Sequence, residues 1–363
     1  MKPPIAALVI DDSAYNRRTL SRLLEETGFV RVVATASDGE EGLRRALTLG
    51  PDLVTVDLEM PRMDGFTFLR ILMAQRPTPV IVISGQVNDQ NVFRALDFGA
   101  VDFLAKPTRY ISDRLVDIRG ELLTKVRAVS ELHLENLTKR SAAASVPPGV
   151  APTGGAPGAA GGPCATRTAG GLQLVAIGAS TGGPTAIQAI LTGLGRRFPA
   201  PIVVAQHMPP GFTKTFAERL DRLSGLTVRE ASDGDPLEPG RVLIAPGGYN
   251  TRVVREASSL VVRTEPHEPG QSYVPSVDAL FESSSAAAGA GVLAVLLTGM
   301  GNDGRRGMVR IKQAGGQTVA ESEETAIIFG MPREAIAAGA VDRVLPLPAM
   351  APELLRRAGV EIA

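Results

Sequence analysis

Short apolar runs alternate with helical patterns along this chain, and that alternation narrows the possible folds more than any other feature. The first set of runs is Ala6–Ile10, Val30–Ala34, Leu53–Val56, Val80–Ile83 and Asp102–Leu104. The second includes Leu174–Ile177, Ile202–Ala205, Val242–Ala245, Val292–Leu297 and Thr318–Ala320. Strands that alternate with helices build βα units and a parallel sheet. Between the sets, from Ser141 to Gly171, the chain is almost entirely Ala, Gly, Pro, Ser, Thr and Val, with Arg167 its only charge. Such a stretch buries too little apolar surface to offset its ordering and reads as a flexible linker. Before it, the spacing of Leu115, Ile118, Leu122, Val126, Val129 and Leu132 predicts one helix over 111–140. Arg252–Val262 predicts an antiparallel hairpin inserted in the second set. The expected fold class is α/β: two doubly wound parallel-sheet domains over 1–127 and 171–363, joined by a helix extension and linker over 128–170. A length of 363 residues suits two domains, and 44% hydrophobic residues suffice for two cores.

Charge and cysteine content narrow the function classes. Lys+Arg and Asp+Glu are 38 each, and neither a basic domain nor a basic helix-turn-helix segment marks a nucleic-acid binder. The one cysteine, Cys164, rules out an intrachain disulfide and fits a reducing compartment. No signal-peptide pattern and no apolar run of spanning length is present. The expectation is a soluble cytoplasmic protein, monomeric and without direct membrane insertion. Cys164 reads as an incidental linker thiol, His133 as part of a solvated helix face and His267 as a loop residue. No histidine spacing resembles a zinc site.

Ligands of open parallel sheets sit beyond the carboxyl ends of the strands. In the first domain those ends carry Asp11 and Asp12, Asp57, Ser84, and Lys106 followed by Pro107. Any one of these could be a solvated loop residue. Together they place three carboxylates, a hydroxyl and an ammonium in one crevice. Converging carboxylates repel unless a hard cation joins them, and Mg2+ prefers oxygen ligands. A carboxylate beside Mg2+ can act as a nucleophile towards a phosphoryl group, whose oxygens Lys106 and Ser84 would bind. The run Val9-Ile10-Asp11-Asp12-Ser13, the segment from Asp57 to Gly65 and the Lys106-Pro107 pair resemble a response-regulator receiver domain, over residues 5 to about 127. That resemblance implies a flavodoxin-like fold and an Asp57 phosphorylated by a histidine kinase. It further implies Mg2+ held by Asp12, Asp57 and the Glu59 carbonyl, with Asp11 assisting through water. Ser84 and Phe103 match the switch hydroxyl and switch aromatic, and Lys106-Pro107 matches a cis peptide.

The second domain opens on Gly178-Ala179-Ser180-Thr181-Gly182-Gly183-Pro184. Ser180 stands in Gly-x-Ser-x-Gly, the spacing of a nucleophile elbow, and Pro184 suits a first helical turn. His207 and Asp303 follow two further strands. Each has a plainer reading. The glycine-rich turn could cradle a phosphate, His207 could be a hydrogen-bonded core histidine, and Asp303 could cap a helix. Jointly they supply a nucleophile, its base and the acid that orients the base. Their order, Ser, His, Asp, is not that of α/β-hydrolases.

The runs Gly178–Gly183, Gln206-His207-Met208-Pro209, Ile244–Gly247, Pro275–Asp278, Thr298–Gly304 and Phe329–Pro332 resemble chemotaxis-type protein-glutamate methylesterases, the CheB family, from about 172 to 355. The resemblance implies a Rossmann-like catalytic domain, with Ser180 as nucleophile, His207 as general base and Asp303 as its orienting acid. It implies that the Met300 backbone N–H stabilises the oxyanion. It implies hydrolysis of glutamyl methyl esters, and deamidation of glutamines, on methyl-accepting chemoreceptors, with no cofactor for the esterase. The chain departs from the family's pattern at Asn250, where a histidine is usual, and at Tyr273-Val274, where His-Arg is usual. Two other readings stand beside this one. A dinucleotide-binding output domain would want an acid where His207 stands. A phosphorylation-dependent adaptor would need no intact triad.

Overall fold

Two sheets, every strand pair in them parallel, carry the protein. The computed structural model describes residues 3–84, 90–106, 119–129, 132, 136, 171–196, 198–267, 270–271 and 273–360, with Ser84 and Gln90 described in their main chain alone. The first domain runs β1 (Ile5–Ile10), α1 (Ala14–Glu25), β2 (Val30–Ala36), α2 (Gly39–Leu49), β3 (Leu53–Asp57), α3 (Gly65–Gln75), β4 (Val80–Ser84), α4 (Gln90–Asp97), β5 (Asp102–Ala105) and α5 (Arg119–Val129). Its strand order is β2-β1-β3-β4-β5. Three helices start where short polar side chains accept from backbone amides: Ser13 from Asn16, Asp38 from Glu41 and Asp64 from Thr67.

The second domain runs β6 (Leu174–Ala179), α6 (Gly183–Gly193), β7 (Ile202–Gln206), α7 (Phe212–Leu223), β8 (Thr227–Glu230) and β9 (Arg241–Ile244). The hairpin β10 (Tyr249–Glu256) and β11 (Ser259–Pro266) follows, as expected, and is longer than its apolar core suggested. The chain continues through α8 (Val277–Ala288), β12 (Val292–Leu296), α9 (Arg305–Gln313), β13 (Gln317–Glu321), α10 (Met331–Ala337), β14 (Arg343–Leu345) and α11 (Met350–Arg357). The strand order is β14-β13-β12-β6-β7-β9-β8. From β6 the chain builds outward through β7, then returns to the other side of β6 at β12. The ends of β12, β6 and β7 therefore meet at the switch point, where open α/β sheets bind ligands. Periodicity missed β8 and β14, which lie at the two sheet edges: β8 is polar at most positions, and β14 is only three residues long.

The helix expected over 111–140 is described only over Arg119–Val129. Beyond it, Leu132 forms an antiparallel bridge to Ile328, and Asn136, again helical, donates to the carbonyls of Glu323 and Ala326 at 2.9 and 2.8 Å. The apolar spacing that suggested a single helix is used differently: Leu132 packs with Val101, Ala128, Ile327 and Ile328. Tertiary pairing overrides helical propensity there. His133, Cys164, Pro107 and residues 141–170 lie outside the described residues.

The two domains share a core. Helix α4 packs on α6 and α7. Phe93 stacks on Phe216 with centroids 5.4 Å apart, and Phe103 meets Phe212 at 4.7 Å. Asp97 pairs with Arg219 at 2.5 Å, and Asp102 accepts from the Thr181 hydroxyl at 2.5 Å. Asp102 also pairs with Lys125 at 2.7 Å.

The C-terminal helix is fixed by one carboxylate. Glu353, 6% exposed, accepts from Arg343, Arg356 and Arg357 at 2.7 to 3.2 Å. Burial alone would raise its pKa, but the three guanidinium groups outweigh burial and hold it at about 2, against an ordinary 4.5. This stabilisation is complete above the unfolded value and is lost as pH falls through the folded one. Glu353→Gln should lower stability at pH 7 by about 2 kcal/mol in urea denaturation, and the difference from the native chain should shrink between pH 4.5 and pH 2.

Candidate functional site

The carboxyl end of β6 is built by close approach. A Cβ at Gly178 would lie 2.2 Å from Val277 Cγ1, so the glycine lets α8 press against the strand. Gly182, at φ +76°, turns the chain into α6, and Pro184 occupies the first helical turn. Ser180 stands between them, partly exposed. Its N–H donates to the Thr298 carbonyl at 3.0 Å, and among the described residues its hydroxyl has no hydrogen-bond partner.

The parallel register pairs Ala179 with Gln206, so Ser180 and His207 leave adjacent strands side by side. The Gln206 amide bridges them, donating to the carbonyls of Ser180 at 2.9 Å and His207 at 3.0 Å. Gln206 stands in the Gln206-His207-Met208-Pro209 run, and nothing in that run announces the bridge. Its signal lay instead in β7, an otherwise apolar strand closed by a buried amide.

Asp303 reaches His207 from the end of β12, with Oδ2 2.8 Å from Nε2. It does not cap the helix that follows it, since Gly304 occupies that position. Instead it caps α8 from outside. Oδ2 accepts from Val277 N at 2.7 Å, and Oδ1 accepts from Asp278 N at 2.8 Å and Ser276 Oγ at 3.2 Å. Burial works to raise its pKa, but the hydrogen bond and charge of His207, with these amides, hold it below the ordinary range. Asp303 is therefore a carboxylate and an acceptor only. With an acceptor-only partner, Nε2 of His207 is the donor in this pair, and in the neutral imidazole the lone pair is then on Nδ1. Such an imidazole can take a proton from a neighbouring hydroxyl.

Met300, the expected oxyanion residue, lies in the turn after β12, beside Ser180: a Cβ at Gly299 would stand 2.7 Å from Ser180 Cβ. The turn is held by buried Glu321, which accepts from Thr298 N at 2.9 Å. Met300 also packs against the interdomain cluster of Val101, Ala128, Ile327 and Ile328. Arg305 and Arg306, which follow Asp303, face Glu334 at 3.4 Å and Asp278 at 3.0 Å. Beside them lies a groove of about 1620 Å³, lined by Arg252, Tyr273, Asp303 and Arg310 among others. Asn250 and Tyr273 border the site, as the family departures suggested.

In the first domain, ligand atoms of Asp11, Asp12 and Asp57 lie within 4.8 Å of one another, a donor set that suits a hard cation. Lys106 joins the cluster, 2.8 Å from Asp11 and hydrogen-bonded to Asp57. Burial pushes the Asp57 carboxyl up and Asp11 adds to this, against the opposing Lys106 ammonium. Burial pulls Lys106 down, but the charges of Asp57 and Asp11 more than offset it. Asn16, which the sequence reading passed over, donates to both oxygens of Asp11 at 3.2 and 3.3 Å. Glu59 N donates to Asp57 at 3.3 Å. Ser84 ends β4 opposite Ala105, and its side chain lies outside the described residues. Phe103 is buried between Phe93 and Phe212, on the side facing the second domain.

Comparison with known proteins finds a relative for each domain. The CheB methylesterase family model matches residues 175–354, and the response regulator receiver domain model matches 7–117. The chain is 52% identical to protein-glutamate methylesterase/protein-glutamine glutaminase 3 of Geobacter sulfurreducens, over 98% of each chain. It is 49% identical to the enzyme numbered 1 of Myxococcus xanthus, over 97% of each. The crystal structure of the Thermotoga maritima CheB methylesterase catalytic domain aligns at 41% identity and a TM-score of 0.50, covering 52% of this chain and 99% of that one. With both domains matched and relatives aligned over nearly the whole length, the chain belongs to the receiver-containing CheB methylesterase family.

Proposed function

We propose that this protein is a phosphorylation-controlled hydrolase of the cytoplasm that demethylates glutamate methyl esters on methyl-accepting chemoreceptors and deamidates glutamines there. The observation that carries the reading is the His207–Asp303 pair, preassembled beside Ser180. Ser180 Oγ attacks the ester carbonyl while His207 Nδ1 takes its proton. The Met300 N–H stabilises the oxyanion. His207 returns the proton to the leaving methanol, then activates the water that releases the glutamate. In deamidation the same steps release ammonia. A partner-switching adaptor would have no use for this pair.

The receiver supplies the control. Asp57 accepts a phosphoryl group from a chemotaxis histidine kinase. Asp12, Asp57 and the Glu59 carbonyl would hold Mg2+, with Asp11 assisting through water, and the ion would neutralise the incoming charge. Lys106 and Ser84 hold the phosphoryl oxygens. In the resting state Asp102 grips Thr181, the residue after Ser180, and Val101 packs in the cluster against which Met300 lies. Phosphorylation moves Ser84 and Phe103, and Phe103 stacks directly on Phe212 across the interface. A full reversal from 1:99 to 99:1 needs about 5.5 kcal/mol of differential stabilisation, and partial opening needs less.

Ser180→Ala should reduce methanol release from methylated receptor fragments to background while leaving circular dichroism unchanged. His207→Gln should match it, because triad members act as a unit, and Asp303→Asn should lose a similar amount or less. Near-native turnover by folded Ser180→Ala would remove Ser180 from the mechanism. The segment 171–363 should release methanol faster than the unphosphorylated whole chain. A small acyl-phosphate donor with Mg2+ should raise the activity of the whole chain, but not that of Asp57→Asn. A fragment slower than the intact protein would assign the receiver an activating or receptor-docking role.

A further inference from the structure

Among the described residues the His207 imidazole has one hydrogen-bonded anchor, Asp303 at Nε2. A single anchor leaves the ring free to rock about that bond, carrying Nδ1 away from Ser180. Tyr273 lies on the face of the ring, with centroids 5.0 Å apart and planes at 16°. Tyr273 is itself fixed. Its carbonyl accepts from Gln271 Nε2 at 2.8 Å, and Gln271 exchanges amide hydrogen bonds with buried Asn250 at 2.9 and 3.0 Å. Asn250 Oδ1 also accepts from Ser276 N at 3.1 Å, at the helix start that holds Asp303. On its other side the phenol lies over Gly301, where a Cβ would stand 2.2 Å from the phenol oxygen and φ is +89°. Burial, with the Asp303 charge, pushes the phenol pKa up, so the ring presents a neutral face.

We infer that Tyr273 is a positioning residue for the hydrolysis, holding the His207 ring so that Nδ1 can meet the Ser180 hydroxyl and stabilising the imidazolium that forms as Ser180 loses its proton. The inference rests on the serine-hydrolase reading of this site. An aromatic face attracts a cation, so the stack strengthens when His207 becomes charged, as it does on the way to the tetrahedral intermediate. An interaction that grows only then acts on turnover and not on substrate affinity. Tyr273 also lines the groove beside the site, so a direct contact with substrate is the competing role, and it would act on KM.

The test uses the full chain carrying Tyr273→Phe, Tyr273→Leu or Tyr273→Ala. One measurement is kcat and KM for methanol release from methylated receptor fragments. The other is the second-order rate at which a fluorophosphonate labels Ser180. In that reaction the Ser180 Oγ–P bond forms, fluoride leaves as the P–F bond breaks, and His207 takes the proton. For Leu and Ala, kcat and the labelling rate should both fall about tenfold, with KM within roughly twofold of native. Phe, which keeps the face and loses the hydroxyl, should restore both. Leu fills the space without an aromatic face, so it decides the matter if Ala melts early. A raised KM with unchanged kcat would make Tyr273 a substrate contact. Phe as slow as Leu would shift the role to the hydroxyl. Native rates for both Leu and Ala would leave Tyr273 no part in positioning. A native chain that labels but releases no methanol would overturn the substrate assignment, while the labelling rates would still decide the role of Tyr273.

Discussion

The second domain depends on an ionised carboxylate kept out of water. Asp303 is 4% exposed, and an unpaired charge so placed would be strongly destabilising. It is tolerated because the first turn of α8 points its free amides at it and the Ser276 hydroxyl adds a further donor. This one arrangement fixes where α8 begins, which lone pair His207 keeps, and how near β6 and α8 must come. The glycine at 178 follows from it, because a larger residue would push Val277 away and carry the amides with it.

Much of this was legible in the sequence because parallel sheets put chemistry at strand ends. The apolar runs located Asp11, Asp57, Ser180, His207 and Asp303, and the structure gathers them into two clusters. The supporting residues were harder to see. Gln206, Glu321 and Asn16 act on backbone or carboxylate groups that only the folded chain brings near them, and no spacing rule links Glu321 to Thr298. Tyr273 stood out only as a departure from the family's pattern. Its stacking on His207 depends on a loop path set by Asn250 and Gln271. The departure from helix at Leu132 was invisible because its spacing serves a bridge as well as a helix.

Each domain presents to the other the surface most closely tied to its own chemistry. In the receiver this surface is α4 and β5, carrying Phe93, Asp97, Asp102 and Phe103. In the esterase it is α6, α7 and the residues beside Ser180. The contacts are mixed in kind. Stacked rings supply adhesion that changes little with salt, while Asp97–Arg219 and Asp102–Thr181 fix the register and demand good geometry. A small displacement of β5 thus meets a bond that tolerates little movement, at the residue next to the nucleophile.

The anchoring of Asn136 to the carbonyls of Glu323 and Ala326 has a consequence for how far the domains can part. While that anchor holds, the seven peptide steps from Val129 to Asn136 span at most about 25 Å when fully stretched. The receiver then swings on a short leash, whatever the length of the linker that follows. A partner confined to so small a volume stays at a high effective concentration, which makes re-docking a unimolecular search over one face.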